Sequence, residues 1–125
     1  MVTGFITFLK TTRSQETRQF YGEAIGLELV LEQAHCWIYR VAGGAYLGFC
    51  DADTPSPGAG QTVLTLLTDD VPAWHANLTA AGVVTDGAPR ENLTYQIEHF
   101  YATDPNGYLV EVQRFLDPHW DKSKS

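Results

Sequence analysis

The fold is decided by the stretch His99-Phe100-Tyr101-Ala102-Thr103-Asp104-Pro105-Asn106-Gly107-Tyr108-Leu109-Val110-Glu111-Val112-Gln113. It predicts two strands folded back on each other, because Pro105 presets φ at the first turn position and Gly107 accepts a positive φ. Side chains alternate across a strand, so His99 and Tyr101 share one face, and pairing brings Glu111 onto it. A carboxylate in an apolar strand is costly without a partner. Glu111 is therefore the first candidate functional residue.

The composition is that of one globular domain. The chain has 125 residues, of which 44% are hydrophobic and 12% aromatic. Its 15 acidic residues outnumber 8 Lys and Arg, and the net charge of -7 disfavours nucleic acid and anionic membranes as partners. Neither a signal peptide pattern nor a membrane-spanning apolar run is present in the sequence, so we expect a cytoplasmic protein.

The two cysteines, Cys36 and Cys50, do not have the spacing of a zinc site. In a protein expected to be cytoplasmic, two such residues are more often free, buried thiols than a disulfide. The sequence therefore predicts free thiols at both positions.

Strand, helix and turn signals occur twice along the chain in the same order. A strand at 4–10 and a helix at 15–25 precede strands at 27–32, 35–41 and 45–50. After a Pro- and Gly-rich linker at 51–60, a strand at 62–68 and a helix capped by Asp69 or Asp70 precede strands at 83–86, 95–103 and 108–115. This order predicts an α+β protein of two duplicated modules, at about 1–50 and 61–116.

Two motifs in this layout resemble those of the vicinal oxygen chelate superfamily, which includes glyoxalases, bleomycin-resistance proteins and extradiol dioxygenases. They are Phe20-Tyr21-Gly22-Glu23-Ala24-Ile25-Gly26-Leu27 and Asp104-Pro105-Asn106-Gly107-Tyr108-Leu109-Val110-Glu111. The resemblance covers residues 4–116. It implies two βαβββ modules that curl into a half-open barrel around a ligand cavity.

The resemblance also implies a divalent metal, which family enzymes usually bind through His, Gln or Glu. The four ligand positions fall on Ile6, Gly48, Val63 and Glu111, and only Glu111 has a donor atom. A metal held by Glu111 and His99 alone would have two protein ligands, whereas catalytic zinc generally has three. We therefore expect no metal cofactor.

Glu111, His99 and Tyr101 are the candidate catalytic residues. A carboxylate beside an imidazole orients its proton, which suits proton abstraction next to a carbonyl, and a phenol suits a substrate oxygen. The alternative is a buried Glu–His–Tyr network that only stabilises the core. Strand alternation and the module repeat place further residues on the cavity wall as candidate ligand contacts: Phe8, Ile38, Cys36, Thr65 and Gln113.

These observations predict a protein that binds a small organic molecule in the module cavity. Its enzymatic form is a lyase or isomerase acting on a carbonyl compound. The first alternative is a bleomycin-resistance-like protein that sequesters its ligand without metal or catalysis, and the second is a structural domain. Family members commonly dimerise, so we also expect a two-fold symmetric homodimer.

Overall fold

The computed structural model describes residues 1–54, 56 and 58–121. The chain forms two units, each built on a four-stranded sheet. The first contains residues 1–62 and the turn at 104–108, and the second contains residues 63–103 and the chain from 109 onward. Among the described residues, none of the helices has the length and apolar character needed to cross a membrane.

The first sheet has the strand order β1-β4-β3-β2, with β1 parallel to β4 and the other pairs antiparallel. Its strands are β1 (Phe5–Thr11), β2 (Glu28–Gln33), β3 (Cys36–Ala42) and β4 (Ala45–Asp51). Helix α1 (Ser14–Arg18) follows β1 and continues as a π-helical stretch over Gln19–Ala24. This is the predicted βαβββ order.

Alternation along the strands gives the first sheet two different faces. One face is buried against the helical segment, where the Tyr21 ring lies 4.6 Å from the Phe49 ring and both residues are inaccessible to solvent. The opposite face carries Ile6 and Phe8, which remain 41% and 53% exposed. We call this second surface the open face of the first sheet.

The second sheet repeats this topology with the order β5-β8-β7-β6, β5 being parallel to β8. Its elements are β5 (Val63–Leu67), α2 (Val71–Ala80), β6 (Arg90–Asn92), β7 (Ile97–Thr103) and β8 (Leu109–Phe115). Asp70 caps α2 as predicted, because its carboxylate accepts the backbone N–H of Ala73 at 3.1 Å. Val71 and Leu78 bury the inner side of this helix.

The α+β class with two βαβββ modules is confirmed. The strand predicted at 83–86 is wrong, because that segment makes only an isolated bridge from Thr85 to Ala102. Gly82 and Gly87 have φ of 84° and 136°, which interrupts an extended chain on both sides of the segment. The edge strand β6 begins instead at Arg90, after Pro89.

The prediction of free thiols is also wrong, because Cys36 and Cys50 form a disulfide. They are direct partners in the β3–β4 ladder, with their Cα atoms 4.1 Å apart. The hairpin turn at Gly43 and Gly44 lies almost midway between the two residues. Their even spacing about this turn was the available sequence signal.

A buried polar cluster joins the two family motifs inside the first unit. The Tyr21 hydroxyl donates to Asp104 at 2.7 Å, and the other Asp104 oxygen accepts the backbone N–H groups of Asn106 and Tyr108 at 2.8 and 2.9 Å. Asp104 is 5% exposed and Tyr21 is 1% exposed. Burial, more than the nearby Asp104 carboxylate, raises the pKa of Tyr21 well above its usual value. These motif residues therefore hold the turn in place.

Candidate functional site

The candidate site lies on the face of the second sheet that carries Glu111. In the strand register, Thr65 and Tyr101 stand on either side of Glu111. The next row along the same face contains Leu67, Gln113, His99 and Arg90. Strand alternation therefore brings Glu111, His99 and Tyr101 to one surface, as the sequence predicted.

Hydrogen-bond donors surround the Glu111 carboxylate, which is 7% exposed. Thr65 Oγ1 donates to Oε1 at 2.8 Å, and His99 Nδ1 lies 2.8 Å from Oε2. The Gln113 amide, oriented with its nitrogen toward the carboxylate, donates at 2.9 and 3.1 Å. We call Glu111, Thr65, His99, Tyr101 and Gln113 the Glu111 cluster. Its donors provide the partners that a buried carboxylate requires.

His99 has one ring nitrogen directed at Glu111. An ionised carboxylate only accepts hydrogen bonds, so Nδ1 carries the proton and Nε2 retains a free lone pair. Within the described chain, the one buried side-chain nitrogen or oxygen without a partner is Trp37 Nε1. The Nε2 atom of His99 is therefore not sealed inside the core, and it can accept a proton or a hydrogen bond from a ligand.

Tyr101 completes the cluster. Its ring lies 5.3 Å from the His99 ring in an edge-on arrangement. Burial, followed by the negative charge of Glu111, raises the pKa of Tyr101 above its ordinary value of 10.0. The phenol therefore stays protonated at neutral pH.

A pocket of about 440 Å³ opens beside Tyr101. Its apolar wall contains Val63, Val84 and Leu109, and Tyr101 also forms part of the lining. Polar groups on the rest of the wall come from Thr85, Asp86 and Thr103. A mostly apolar wall with a few polar groups is typical of small-molecule sites.

Asp86 fixes the backbone of Tyr101 at the edge of this pocket. The Asp86 N–H donates to the Tyr101 carbonyl at 2.9 Å, and the Tyr101 N–H donates back to Asp86 Oδ1 at 2.9 Å. Arg90 forms a two-pronged ion pair with the same carboxylate at 2.9 and 2.6 Å. The hydrogen bonds from Arg90, more than the one from the Tyr101 N–H, lower the pKa of Asp86 to about 2.

Acidification is expected to remove the contribution of Asp86 to stability. Its folded pKa of about 2 lies below the ordinary 3.8, so this contribution is present above the ordinary pKa and lost as the pH falls toward 2. The carboxylate is 41% exposed, and solvent screening limits the effect to about 1 kcal/mol. Urea unfolding at about pH 5 and about pH 2 measures it. Wild type should lose more stability than Asp86→Asn, and equal losses would contradict the assignment.

The candidate ligand contacts from the sequence divide between the two units. Phe8, Ile38 and Cys36 lie together on the open face of the first sheet, Cys36 as half of the disulfide. Thr65 and Gln113 lie in the second unit and donate to Glu111. Binding by these five residues stays a prediction.

Sequence analysis missed Asp86, Arg90 and the pocket between Val63 and Val84. It also did not include His75, whose Nε2 lies 3.2 Å from Thr85 Oγ1 on the pocket wall. These groups meet through an irregular loop, for which neither strand nor helix periodicity gives a signal.

The donor set does not fit the metal site that the resemblance implies. Ile6 and Val63 have no donor atom, and a Cβ placed on Gly48 would lie 2.6 Å from the ring of Phe8, so Phe8 fills the space beside that position. Among the described residues, no three His, Cys, Asp or Glu side chains are grouped so that they could hold a metal. Glu111 itself is occupied by protein donors.

Comparisons with known proteins agree with this architecture. A glyoxalase/bleomycin resistance protein/dioxygenase from Nocardioides is similar over 94% of this chain and 86% of its own, with 16% identity and a TM-score of 0.76. The antibiotic binding protein TnmS3 from Streptomyces sp. CB03234 is similar over 91% of this chain and 96% of its own, with 23% identity and a TM-score of 0.76. A lactoylglutathione lyase from Agrobacterium tumefaciens is similar over 88% of this chain and 91% of its own, with 22% identity and a TM-score of 0.72.

At these identities the structural likeness establishes the fold alone. No curated protein gives a significant match. The sequence model of the Glyoxalase/Bleomycin resistance protein/Dioxygenase superfamily matches residues 7–112, which is most of the chain. The chain therefore belongs to the glyoxalase/bleomycin resistance protein/dioxygenase superfamily.

Proposed function

We propose that this protein binds a small organic molecule in the pocket beside Tyr101, with Glu111, His99 and Tyr101 as the polar groups that face it. The observation that supports this proposal is that Tyr101 belongs both to the pocket wall and to the Glu111 cluster. A ligand in the pocket therefore lies next to the Glu111 cluster.

The enzymatic form of the proposal is a lyase or isomerase acting on a carbonyl compound. His99 Nε2 would take a proton from the carbon next to the carbonyl, and Glu111 would stabilise the resulting imidazolium through Nδ1. In a compound with a hydroxyl on that carbon, the C–H electron pair forms an enediolate and the hydroxyl proton passes to the former carbonyl oxygen. His99 then returns its proton to the former carbonyl carbon, which gives the isomer. A solved neighbour carries the name lactoylglutathione lyase, which is consistent with chemistry of this class.

The alternative is ligand sequestration without catalysis. Both Glu111 oxygens already accept hydrogen bonds from Thr65, His99 or Gln113, which leaves Glu111 little freedom to act directly as a base. An antibiotic binding protein is another structural neighbour. This form requires the pocket and its polar edge, and no proton transfer.

The proposal is tested with a panel of small carbonyl compounds and a variant that blocks the pocket. Thr103 lines the pocket and is exposed, so Thr103→Trp should fill the pocket without disturbing the core. A ligand at about 100 times its Kd stabilises the folded state by about 2.7 kcal/mol. We expect such a shift for wild type and for the control Thr94→Trp on an exposed turn, and none for Thr103→Trp. If every compound fails, or Thr103→Trp still binds, the proposal is contradicted.

A second measurement separates catalysis from sequestration. Exchange of the proton next to the carbonyl is followed in heavy water by NMR on any compound that binds. The enzymatic form predicts faster exchange with wild type and loss of that acceleration in His99→Asn. Binding without faster exchange assigns the sequestering function.

We further propose that the protein works without a resident metal, since the residues at the implied ligand positions do not fit one. Protein purified without chelator or histidine tag is expected to hold far less than one metal ion per chain by elemental analysis. Specific stabilisation by one added divalent metal, about 2.7 kcal/mol at 100 times its Kd, would contradict this proposal.

A homodimer is the proposed assembly. Phe8 and Ile6 on the first sheet and Val63 and Leu67 on β5 leave large apolar side chains exposed. Sedimentation at micromolar concentration should show a species of twice the 13.9 kDa chain mass, and a monomer alone would contradict the proposal.

The cytoplasmic location stays a prediction, and the Cys36–Cys50 disulfide argues against it because cytosolic disulfides are rare.

A further inference from the structure

The charges of the second unit, which contains the pocket, are strongly one-sided. The described residues of the second unit contain eight Asp and Glu residues but only two basic side chains outside histidine, Arg90 and Arg114. Arg114 is paired with Glu98 at 3.4 Å, on the sheet face opposite Glu111. Arg90, which is paired with the pocket residue Asp86, is therefore the basic side chain of this unit to consider at the pocket.

The charge of Arg90 is paired with that of Asp86. Two of its nitrogens bond the two oxygens of Asp86 at 2.9 and 2.6 Å. Paired hydrogen bonds of this kind are strong and geometrically fixed. Asp86 itself lines the pocket, and the guanidinium of Arg90 lies beside the Asp86 carboxylate. A ligand carboxylate or phosphate would therefore meet the Asp86 carboxylate before any free cation.

We infer that the pocket accepts uncharged or cationic organic ligands and excludes anions, and that Asp86 sets this preference by holding Arg90. This inference rests on the proposed binding function. It names Asp86 as a specificity-determining residue, because removal of its charge leaves Arg90 with an uncompensated positive charge at the pocket edge. It also predicts that ligands bearing several carboxylates are poor occupants.

Asp86→Asn is the variant that isolates this effect. The amide oxygen can still accept the Tyr101 N–H, and the backbone bond from residue 86 to the Tyr101 carbonyl is unchanged. Only the negative charge and the two-pronged pair with Arg90 are lost. Asp86→Asn combined with Arg90→Met is the matched control, since it removes the released cation as well.

The probes are benzyl alcohol, benzylamine and benzoate, which share a ring and differ in charge. Binding is followed by NMR through the backbone amides of Tyr101, Thr103 and Leu109 at the pocket. In wild type we expect benzoate to bind at least about tenfold more weakly than benzyl alcohol. In Asp86→Asn benzoate should gain about tenfold, the scale of one charge-assisted hydrogen bond. The double variant should lose that gain.

The outcomes separate the two proposals. Equal binding of benzoate and benzyl alcohol by wild type, or no gain for benzoate in Asp86→Asn, overturns the charge preference alone. If none of the three probes shifts the pocket amides, the proposed binding function fails and the charge preference fails with it. The wild-type comparison is decisive even if Asp86→Asn does not fold.

Discussion

Replacing Asp104 with alanine is expected to lower the free energy of unfolding by about 3–5 kcal/mol, because four donors lose their acceptor together. The Tyr21 hydroxyl and the Tyr108 N–H are buried, and the backbone N–H and side-chain amide of Asn106 are half-buried. Tyr21 and Tyr108 are 1% and 0% exposed, so water cannot replace the carboxylate without opening the core. Urea unfolding followed by fluorescence and circular dichroism measures the change.

Two control variants set the scale of this effect. Tyr21→Phe removes one donor and leaves the turn bonded, so it should cost about 1–2 kcal/mol. Asp117 also accepts the backbone N–H of the residue two positions later, at 2.8 Å, but on an exposed turn. Asp117→Ala should therefore cost less than about 1 kcal/mol. A loss in Asp104→Ala no larger than in Asp117→Ala would show that burial of this cluster contributes little.

Glu111→Gln is expected to preserve the fold and to move the imidazole proton of His99 from Nδ1 to Nε2. The new amide nitrogen can donate to His99 Nδ1 if the histidine proton moves to Nε2, and the Gln113 amide can rotate to accept. Thr65 can still donate to the remaining oxygen. We therefore expect a stability loss of about 1 kcal/mol or less. Nitrogen-15 NMR of the imidazole should show the protonated nitrogen change from Nδ1 to Nε2.

Glu111→Ala is the contrasting variant. It removes the acceptor from the His99, Thr65 and Gln113 side chains at once, and we expect a loss of about 2–4 kcal/mol. Similar losses in the two Glu111 variants, or an unchanged His99 proton in Glu111→Gln, would contradict the assigned hydrogen-bond network.

The sequence was sufficient for the parts of this protein that follow from alternation and turn chemistry. The Asp-Pro-Asn-Gly turn sets the register of β7 and β8, and that register alone places Tyr101 opposite Glu111 and His99 one row away. The same reasoning located both sheets and the cap of α2 by Asp70. The β7–β8 hairpin and the helix cap depend on residues close together in the chain, and the two sheets follow from the order of the elements.

Other parts depend on long-range pairing or irregular backbone, and local patterns do not specify them. Between Gly82 and Arg90 the chain follows no regular period, so the approach of Asp86 to Tyr101 could not be read from spacing. The Cys36–Cys50 disulfide depends on the β3–β4 register. The prediction of free thiols rested on the expected compartment, whereas the even spacing of the two cysteines about the hairpin turn favours their pairing.

The most direct test of the central claim compares ligand affinity with stability in Glu111→Gln, for any compound that binds the pocket. In this variant His99 Nε2 carries the proton and is a hydrogen-bond donor to the ligand, whereas in the wild type Nε2 is an acceptor. The account predicts that affinity falls by about 1.5–3 kcal/mol while the free energy of unfolding stays within about 1 kcal/mol of wild type. Unchanged affinity in the folded fraction, together with a clear loss of stability, would show that the Glu111 cluster only stabilises the core.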